Sequence, residues 1–451
     1  MSLLYDPLFT TDRFAELFGD RVTLQRMLDV EAALARAEAA AGVIPASAVG
    51  AIAAQCDAAG FDLAAIGRAA GLAGNVAIPL VKALTAKVKV ADAEAARFVH
   101  WGATSQDIID TGLVLQLREA LDLLDADLAR LSTATARLAD AHRATPMMGR
   151  TWLQQALPTT FGLKVAGWHD ALLRHRARLA ELRPRALVVQ FGGAAGTLAS
   201  LGSQGAEVAD RLADELGLGR CALPWHGQRD RIIEVAGFAA LLTGTLGKFA
   251  RDWSLLMQTE IGEVFEPAAP GKGGSSTMPH KRNPVGAAVV LHAANRAPAL
   301  VAGLYAAMVQ EHERGLGGWH AEWQPLAELL QITAGALARC CETVEGMEVD
   351  AQRMRANIDI TRGLVMAEAV MMALGAKIGR LAAHEQVEQA CRRALADGRH
   401  LRDVLGEDEF IAAHLAPPQL DALFDPCGYL GSADRFVARA LAQGGGINPE
   451  T

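Results

Sequence analysis

The chain has 451 residues, 51% apolar and 21% charged, which is the composition of a folded protein with room for two to four domains. Its net charge of −8 excludes a generic nucleic-acid binder, which needs a basic face, and any anionic substrate must meet positive charge gathered locally. Aromatic residues are only 5% while Ala and Leu dominate, a balance that favours helices over sheets.

The N-terminus lacks a basic stretch followed by an apolar one, so no secretory leader is expected. Residues 1–110 read as a first helical domain, with short helical patterns broken at Pro45, Gly60, Gly74 and Pro79. The clearest periodic segment follows Thr111. There Leu117, Leu121, Leu124, Leu128, Leu131 and Leu138 recur at steps of four, three, four, three and seven, a heptad-like seam. Asp110 or Thr111 can cap its start, and Pro146 lies beyond its end. A helix of about 30 residues would be roughly 45 Å long, which implies a bundle.

A second long helix is expected over about 158–183, closed by Pro184. A third runs over about 230–264, stopped by Pro267, with Ile232, Val235, Ala239, Leu242, Leu246, Phe249, Trp253 and Leu256 as its seam. A fourth follows Pro284 to about 311, with Pro298 as a predicted kink, and a fifth covers about 324–347. The most apolar stretch, 285–309, contains His292, Asn295, Arg296 and Pro298, so it reads as a buried core helix and not as a membrane span. Residues 361–451 form shorter helices again, broken at Asp397-Gly398 and Pro417-Pro418. The expected fold is all-α: three helical domains, 1–110, 111–360 and 361–451, with the central one a long-helix bundle and oligomerisation core.

The six cysteines (Cys56, Cys221, Cys340, Cys341, Cys391 and Cys427) form no C-x-x-C pair, so reduced cytosolic thiols are expected. His169 and His175 read as surface or satisfied core groups, and His142 as a partner of a helix C-terminus. His320 and Glu322 are too few ligands to imply a metal. No Gly-rich fingerprint sits between a strand and a helix, so no dinucleotide cofactor is implied.

Three segments interrupt the helical pattern with polar chemistry. His100-Trp101-Gly102-Ala103-Thr104-Ser105-Gln106-Asp107 crowds hydroxyl and amide groups before the long helix, either a capping turn or an anion site. Gly149-Arg150-Thr151-Trp152-Leu153-Gln154-Gln155-Ala156 precedes the next long helix, either as a solvated helix start or as a carboxylate holder. The third, Ala269 through Pro284, puts three glycines and two serines beside His280, Lys281 and Arg282, too much chemistry for a plain connector.

Gly274-Ser275-Ser276-Thr277-Met278-Pro279-His280-Lys281-Arg282-Asn283-Pro284 resembles the signature loop of the fumarase/aspartase superfamily, and the other two segments match its remaining active-site regions in order. The resemblance covers nearly the whole chain. It implies a homotetramer in which each active site is shared between subunits. It also implies that Ser275 acts as acid or base at carbon, with Ser276 the fallback, and that Lys281 and Asn283 bind a substrate carboxylate. Thr104, Ser105, Thr151 and Gln154 become substrate binders, with His100, Arg150, His280 and Arg314 beside them.

Many lyases of this superfamily carry a His where this chain has Trp152, and an indole N–H does not titrate usefully. An amine leaving group needs that proton, whereas a carboxylate can attack or leave without one. Trp319-His320 also replaces the phosphate-binding Ser pair expected of adenylosuccinate lyases, while Arg314 is kept. The set resembles the muconate-cycloisomerising branch, which implies a small tricarboxylate substrate, lactone formation, no metal or cofactor, no membrane or nucleic-acid partner, and a cytoplasmic enzyme. An adenylosuccinate- or argininosuccinate-type lyase is the rival within the superfamily. A catalytically silent helical scaffold is the rival outside it.

Overall fold

The computed structural model describes residues 4–444. Its long elements, in chain order, are α1 (Asp20–Ala40), α2 (Ser105–Ala141), strands β1 (Pro146–Thr151) and β2 (Gln154–Thr160), α3 (Phe161–Ala186), α4 (Asp230–Leu256), strand β3 (Val264–Phe265), α5 (Val285–Ala307), α6 (Gly318–Glu345), strand β4 (Glu348–Val349), α7 (Ala367–Ile378) and α8 (Arg380–Asp397). The fold is predominantly helical, and α2 to α6 form the large central bundle. The expected leucine seam is its core: Leu117, Leu121, Leu124, Leu128 and Leu131 of α2 are fully buried, as are Val235, Ala239, Leu242, Leu246 and Trp253 of α4.

The chain divides into two compact units. One comprises the chain up to Leu128 with His175–Gly247 and Val289–Arg339; the other comprises Ala129–Arg174, Lys248–Ala288 and the chain from Cys340 onward. In the second unit α7 and α8 pack through Val370, Leu374, Ala383, Val387 and Ala390.

Several boundaries differ from the sequence reading, each for a physical reason. α2 begins at Ser105, so Asp110 and Thr111 are not caps but lie inside the helix, 1% and 0% exposed. Asp110 is consumed by an ion pair, and the Thr111 hydroxyl donates to the Gln190 carbonyl at 2.7 Å. Pro184 does not close α3, because it falls in the last turn of a helix that runs to Ala186. α4 stops at Leu256, eight residues short of the expected 264; Gly262 turns left-handed (φ 59°), and Val264 then pairs antiparallel with Val349.

The second polar segment is not a helix start. β1 and β2 form an antiparallel hairpin in which Thr151 faces Gln154 and Arg150 faces Gln155. Its turn is Trp152-Leu153, at φ 53° and 65°, the left-handed region that Asn-Gly ordinarily fills. Both side chains project outward, 97% and 79% exposed.

The apolar helix α5 is also not the buried core helix expected. α4 and α5 both have the length and composition to cross a membrane, but the apolar window of α4 is 61% buried inside the chain and that of α5 only 33%. α5 buries one narrow seam, Ala287, Val290, Ala293, Ala297, Leu300, Leu304 and Ala307, at steps of three and four. Ala299, Ala302, Gly303 and Ala306 are left exposed on the remainder.

Candidate active site

In the first unit the site is built around the start of α2. The Asp107 carboxylate accepts five hydrogen bonds: from the Thr104, Gly192 and Gly193 backbone N–H groups at 2.9 Å each, from His226 Nε2 at 2.7 Å and from Gln190 Nε2 at 3.3 Å. One buried carboxylate therefore shapes both the Thr104 turn and the Gly192-Gly193 loop. Gln106 links this turn to its surroundings, donating to Asp110 Oδ2 and to the His226 carbonyl at 3.0 Å each. Its Oε1 accepts from Arg314 Nε at 3.1 Å, and Arg314 also donates to the Ala194 carbonyl at 3.2 Å. Thr104, Ser105 and Arg314 thus converge on one polar turn.

His100 enters the same turn. Its backbone is left-handed (φ 58°), and its Nδ1 lies 2.6 Å from Glu31 Oε1 of α1. Burial disfavours the charged imidazole, but the Glu31 carboxylate, with help from Asp107, more than offsets it and raises the His100 pKa.

Below the turn Arg229 bridges two carboxylates. It reaches Asp110 and Glu322, both 1% exposed, at 2.7 Å each. Trp319 Nε1 donates to Asp110 Oδ1 at 3.0 Å, and His320 Nε2 sits 2.9 Å from the Gly74 carbonyl. Trp319 is therefore a core residue, and Glu322 is an ion-pair partner, not a metal ligand. Among the described residues no group of three or more His, Cys, Asp or Glu side chains could hold a metal ion.

In the second unit the hairpin is fixed by a buried clamp. Arg150 forks onto Glu263, itself 0% exposed, at 2.9 and 2.6 Å. Asn357 Nδ2 donates to the same carboxylate at 2.8 Å, and Gln155 Nε2 donates to the Asn357 carbonyl at 2.9 Å. The donors of Arg150 thus hold the hairpin to its base, while Thr151 and Gln154 stand exposed at its neck.

The signature loop is pinned at both ends. Glu266 accepts from Gly286 and Ala287 N–H at 2.9 and 2.8 Å, capping α5, and from Trp253 Nε1 at 3.0 Å. Arg282 forks onto Glu348 at 2.9 and 2.8 Å and lies 4.9 Å from the Phe265 ring centroid. Between these clamps Gly273 is left-handed (φ 68°), and a Cβ there would meet the Asn283 carbonyl oxygen at 2.6 Å, so this tight crossing requires glycine. Ser275 Oγ accepts from the Met278 N–H at 3.1 Å. Ser276, His280 and Lys281 are exposed, and Asn283 is half-buried.

The structure thus sorts the expected site residues into two sets. His100, Thr104, Ser105 and Arg314 belong to the first unit; Arg150, Thr151, Gln154, Ser275, Ser276, His280, Lys281 and Asn283 belong to the second. Sequence reading missed Asp107, Gln190, His226 and Arg229. Its available signal was Trp225-His226-Gly227-Gln228-Arg229, a polar cluster directly before α4, as the other polar segments stand before long helices.

A helical bundle with three polar segments, one at the start of α2, one in the β1–β2 hairpin and one in the loop before α5, defines a class, and comparison with known proteins agrees. Residues 8–298 match the family model described as Lyase, and residues 363–440 match Adenylosuccinate lyase C-terminus. The chain belongs to this lyase family, the fumarase/aspartase superfamily. It is 59% identical to a 3-carboxy-cis,cis-muconate cycloisomerase of Pseudomonas aeruginosa, over 98% of this chain and 96% of that protein. It is 56% identical to the protein of the same name from Bradyrhizobium diazoefficiens, over 98% of each. The crystal structure of the 3-carboxy-cis,cis-muconate lactonizing enzyme from Pseudomonas putida superposes with a TM-score of 0.95 at 55% identity, covering 98% of this chain and 99% of that one.

Proposed function

We propose that the protein closes 3-carboxy-cis,cis-muconate into 4-carboxymuconolactone, a step of protocatechuate (β-ketoadipate) catabolism. The observation that carries this reading within the superfamily is Trp152 at the hairpin tip, 97% exposed, where many lyases place a titrating His. A reaction that expels an amine is poorly served by an indole; one whose nucleophile is the substrate's own carboxylate is not. The full-length likeness to cycloisomerases supports the same reading.

In the reaction a substrate carboxylate oxygen bonds to C4 of the diene, and charge develops as an enediolate on a neighbouring carboxylate. A proton is then delivered to carbon, so no atom leaves. Ser275, with Ser276 beside it, delivers that proton, and Lys281, Asn283 and loop N–H groups stabilise the enediolate. Thr104, Ser105, Thr151, Gln154, His280 and Arg314 hold the remaining carboxylates. Holding nucleophile and alkene in one molecule removes much of the entropic barrier.

The functional assembly is a homotetramer with shared sites. The uncovered small-residue face of α5 supports association, and the outward projection of Trp152 and Leu153 supports a hairpin that serves a neighbouring subunit. A cytoplasmic location fits α5 as an assembly helix and not a membrane span, because it carries Arg296, paired with Glu328 at 2.7 Å.

The test is to mix purified protein with 3-carboxy-cis,cis-muconate, without added metal, and follow the diene absorbance. Rapid loss with carboxymuconolactone formation supports the reading. No loss from a protein shown to be tetrameric overturns it and turns attention to adenylosuccinate and argininosuccinate.

A further inference from the structure

Glu31 stands out among buried acids. It lies on α1, 1% exposed, with Oε1 on His100 Nδ1 at 2.6 Å and Oε2 without a partner among the described residues. Seven residues along the same helix Glu38 is 0% exposed, and neither of its oxygens has a partner among the described residues. Burial, reinforced by Glu31, pushes the Glu38 carboxyl up to about 9, and the same two causes, with Asp29, push the nearby Cys56 thiol up to about 12. Both groups are therefore neutral at neutral pH, which leaves Glu31 as the charge that faces His100 from α1. From α2 the Asp107 carboxylate also favours the charged His100 through its field, its own partners being backbone N–H groups, Gln190 and His226.

The ring is thus tied to one carboxylate, within the field of a second, on a left-handed backbone (φ 58°), a conformation found in a non-glycine residue where a site demands it. With Nδ1 committed to Glu31, the other ring nitrogen has no partner among the described residues, and the side chain keeps 16% of its surface exposed.

We propose that Glu31 is a positioning residue: it fixes His100 with Nδ1 turned to the core and presents Nε2–H, four residues from Thr104, as a charged donor to a substrate carboxylate. The neutral Glu38 on the same helix adds no competing anion. The identity of the carboxylate rests on the cycloisomerase reading; the Glu31–His100 relation does not.

Two measurements test it. The first is the pH dependence of KM and kcat for 3-carboxy-cis,cis-muconate in wild type, Glu31→Gln and Glu38→Gln. A cation that binds substrate is present below the His100 pKa and lost above it. Removing the Glu31 charge lowers that pKa, so KM of Glu31→Gln should begin its rise at a lower pH than that of wild type, and the ratio of variant to wild-type KM should grow with pH before levelling off. kcat should hold within about twofold, and Glu38→Gln should follow wild type. Superimposable profiles, or an equal loss at every pH, overturn the proposal.

The second measurement needs no turnover. The His100 imidazole resonance, assigned by its disappearance in His100→Asn, is titrated in the wild-type oligomer and in Glu31→Gln. A wild-type midpoint above about 6.5 that falls in the variant supports the dyad. A wild-type midpoint at or below that value overturns it even if Glu31→Gln does not fold. Should the wild type leave 3-carboxymuconate untouched, the functional reading fails, and this titration still decides the dyad.

Discussion

Arg229 meets Asp110 through two guanidinium nitrogens, at 2.7 and 3.1 Å, in an interior that leaves these side chains 0% and 1% exposed. Glu322 completes the bridge from the other side, and burial raises its pKa despite that contact. Removing the cation strands two carboxylates in a low dielectric. Arg229→Met should cost about 3–5 kcal/mol at neutral pH by urea unfolding, and less in acid as the carboxyls take up protons. A loss below about 1 kcal/mol would show that the bridge is energetically idle.

Glu38 gives a stability prediction with a defined sign. Its carboxyl is raised from 4.5 to about 9 in the folded chain. Below pH 4.5 folded and unfolded forms are both protonated, and the contribution of the neutral acid is fully present. As pH rises toward 9 only the unfolded chain releases the proton, so that contribution drains away and is lost beyond it. Glu38→Gln keeps the shape without the proton, so its Tm advantage over wild type should widen between pH 5 and pH 9. A constant difference across that range would count against a raised pKa.

The hairpin turn sets stability against function. Trp152 and Leu153 hold left-handed backbone that Asn and Gly adopt at lower cost. The double variant Trp152→Asn, Leu153→Gly should melt at the same temperature or higher, by about 1 kcal/mol of relieved strain, yet lose kcat/KM. Retained activity would remove the tip from the site.

Ser275→Ala should lower kcat roughly a hundred- to ten-thousand-fold, with Tm and oligomeric state unchanged. The unchanged Tm is expected because, among the described residues, the Ser275 hydroxyl hydrogen-bonds only locally, with Thr277 and Met278. Near-normal turnover would move the role to Ser276 or away from the loop.

The sequence made the bundle readable wherever burial repeated with a helical period. Leu117 to Leu131 could be placed in the core because one face of α2 is continuously covered. The hairpin was not readable, since Gly149 to Gln154 lacks strand alternation and its turn uses bulky residues against the usual turn chemistry. Asp110 and Thr111 looked like caps because their partners, Arg229 and Gln190, lie 119 and 79 residues away, beyond any local pattern. The site loop was recognisable from its motif, whereas Asp107 and His226 were not singled out because their task is to hold other groups in place.

The uncovered face of α5 bears on how the protein comes into being. A newly synthesised chain carries a helix apolar enough for a lipid core with only 33% of its apolar window sheltered by its own fold. In the proposed tetramer that surface stays open to chaperones, to membranes and to wrong partners until other copies cover it. Under that proposal subunit encounter competes with these captures, and the yield of working enzyme in a cell should climb more steeply than in proportion to the rate of synthesis.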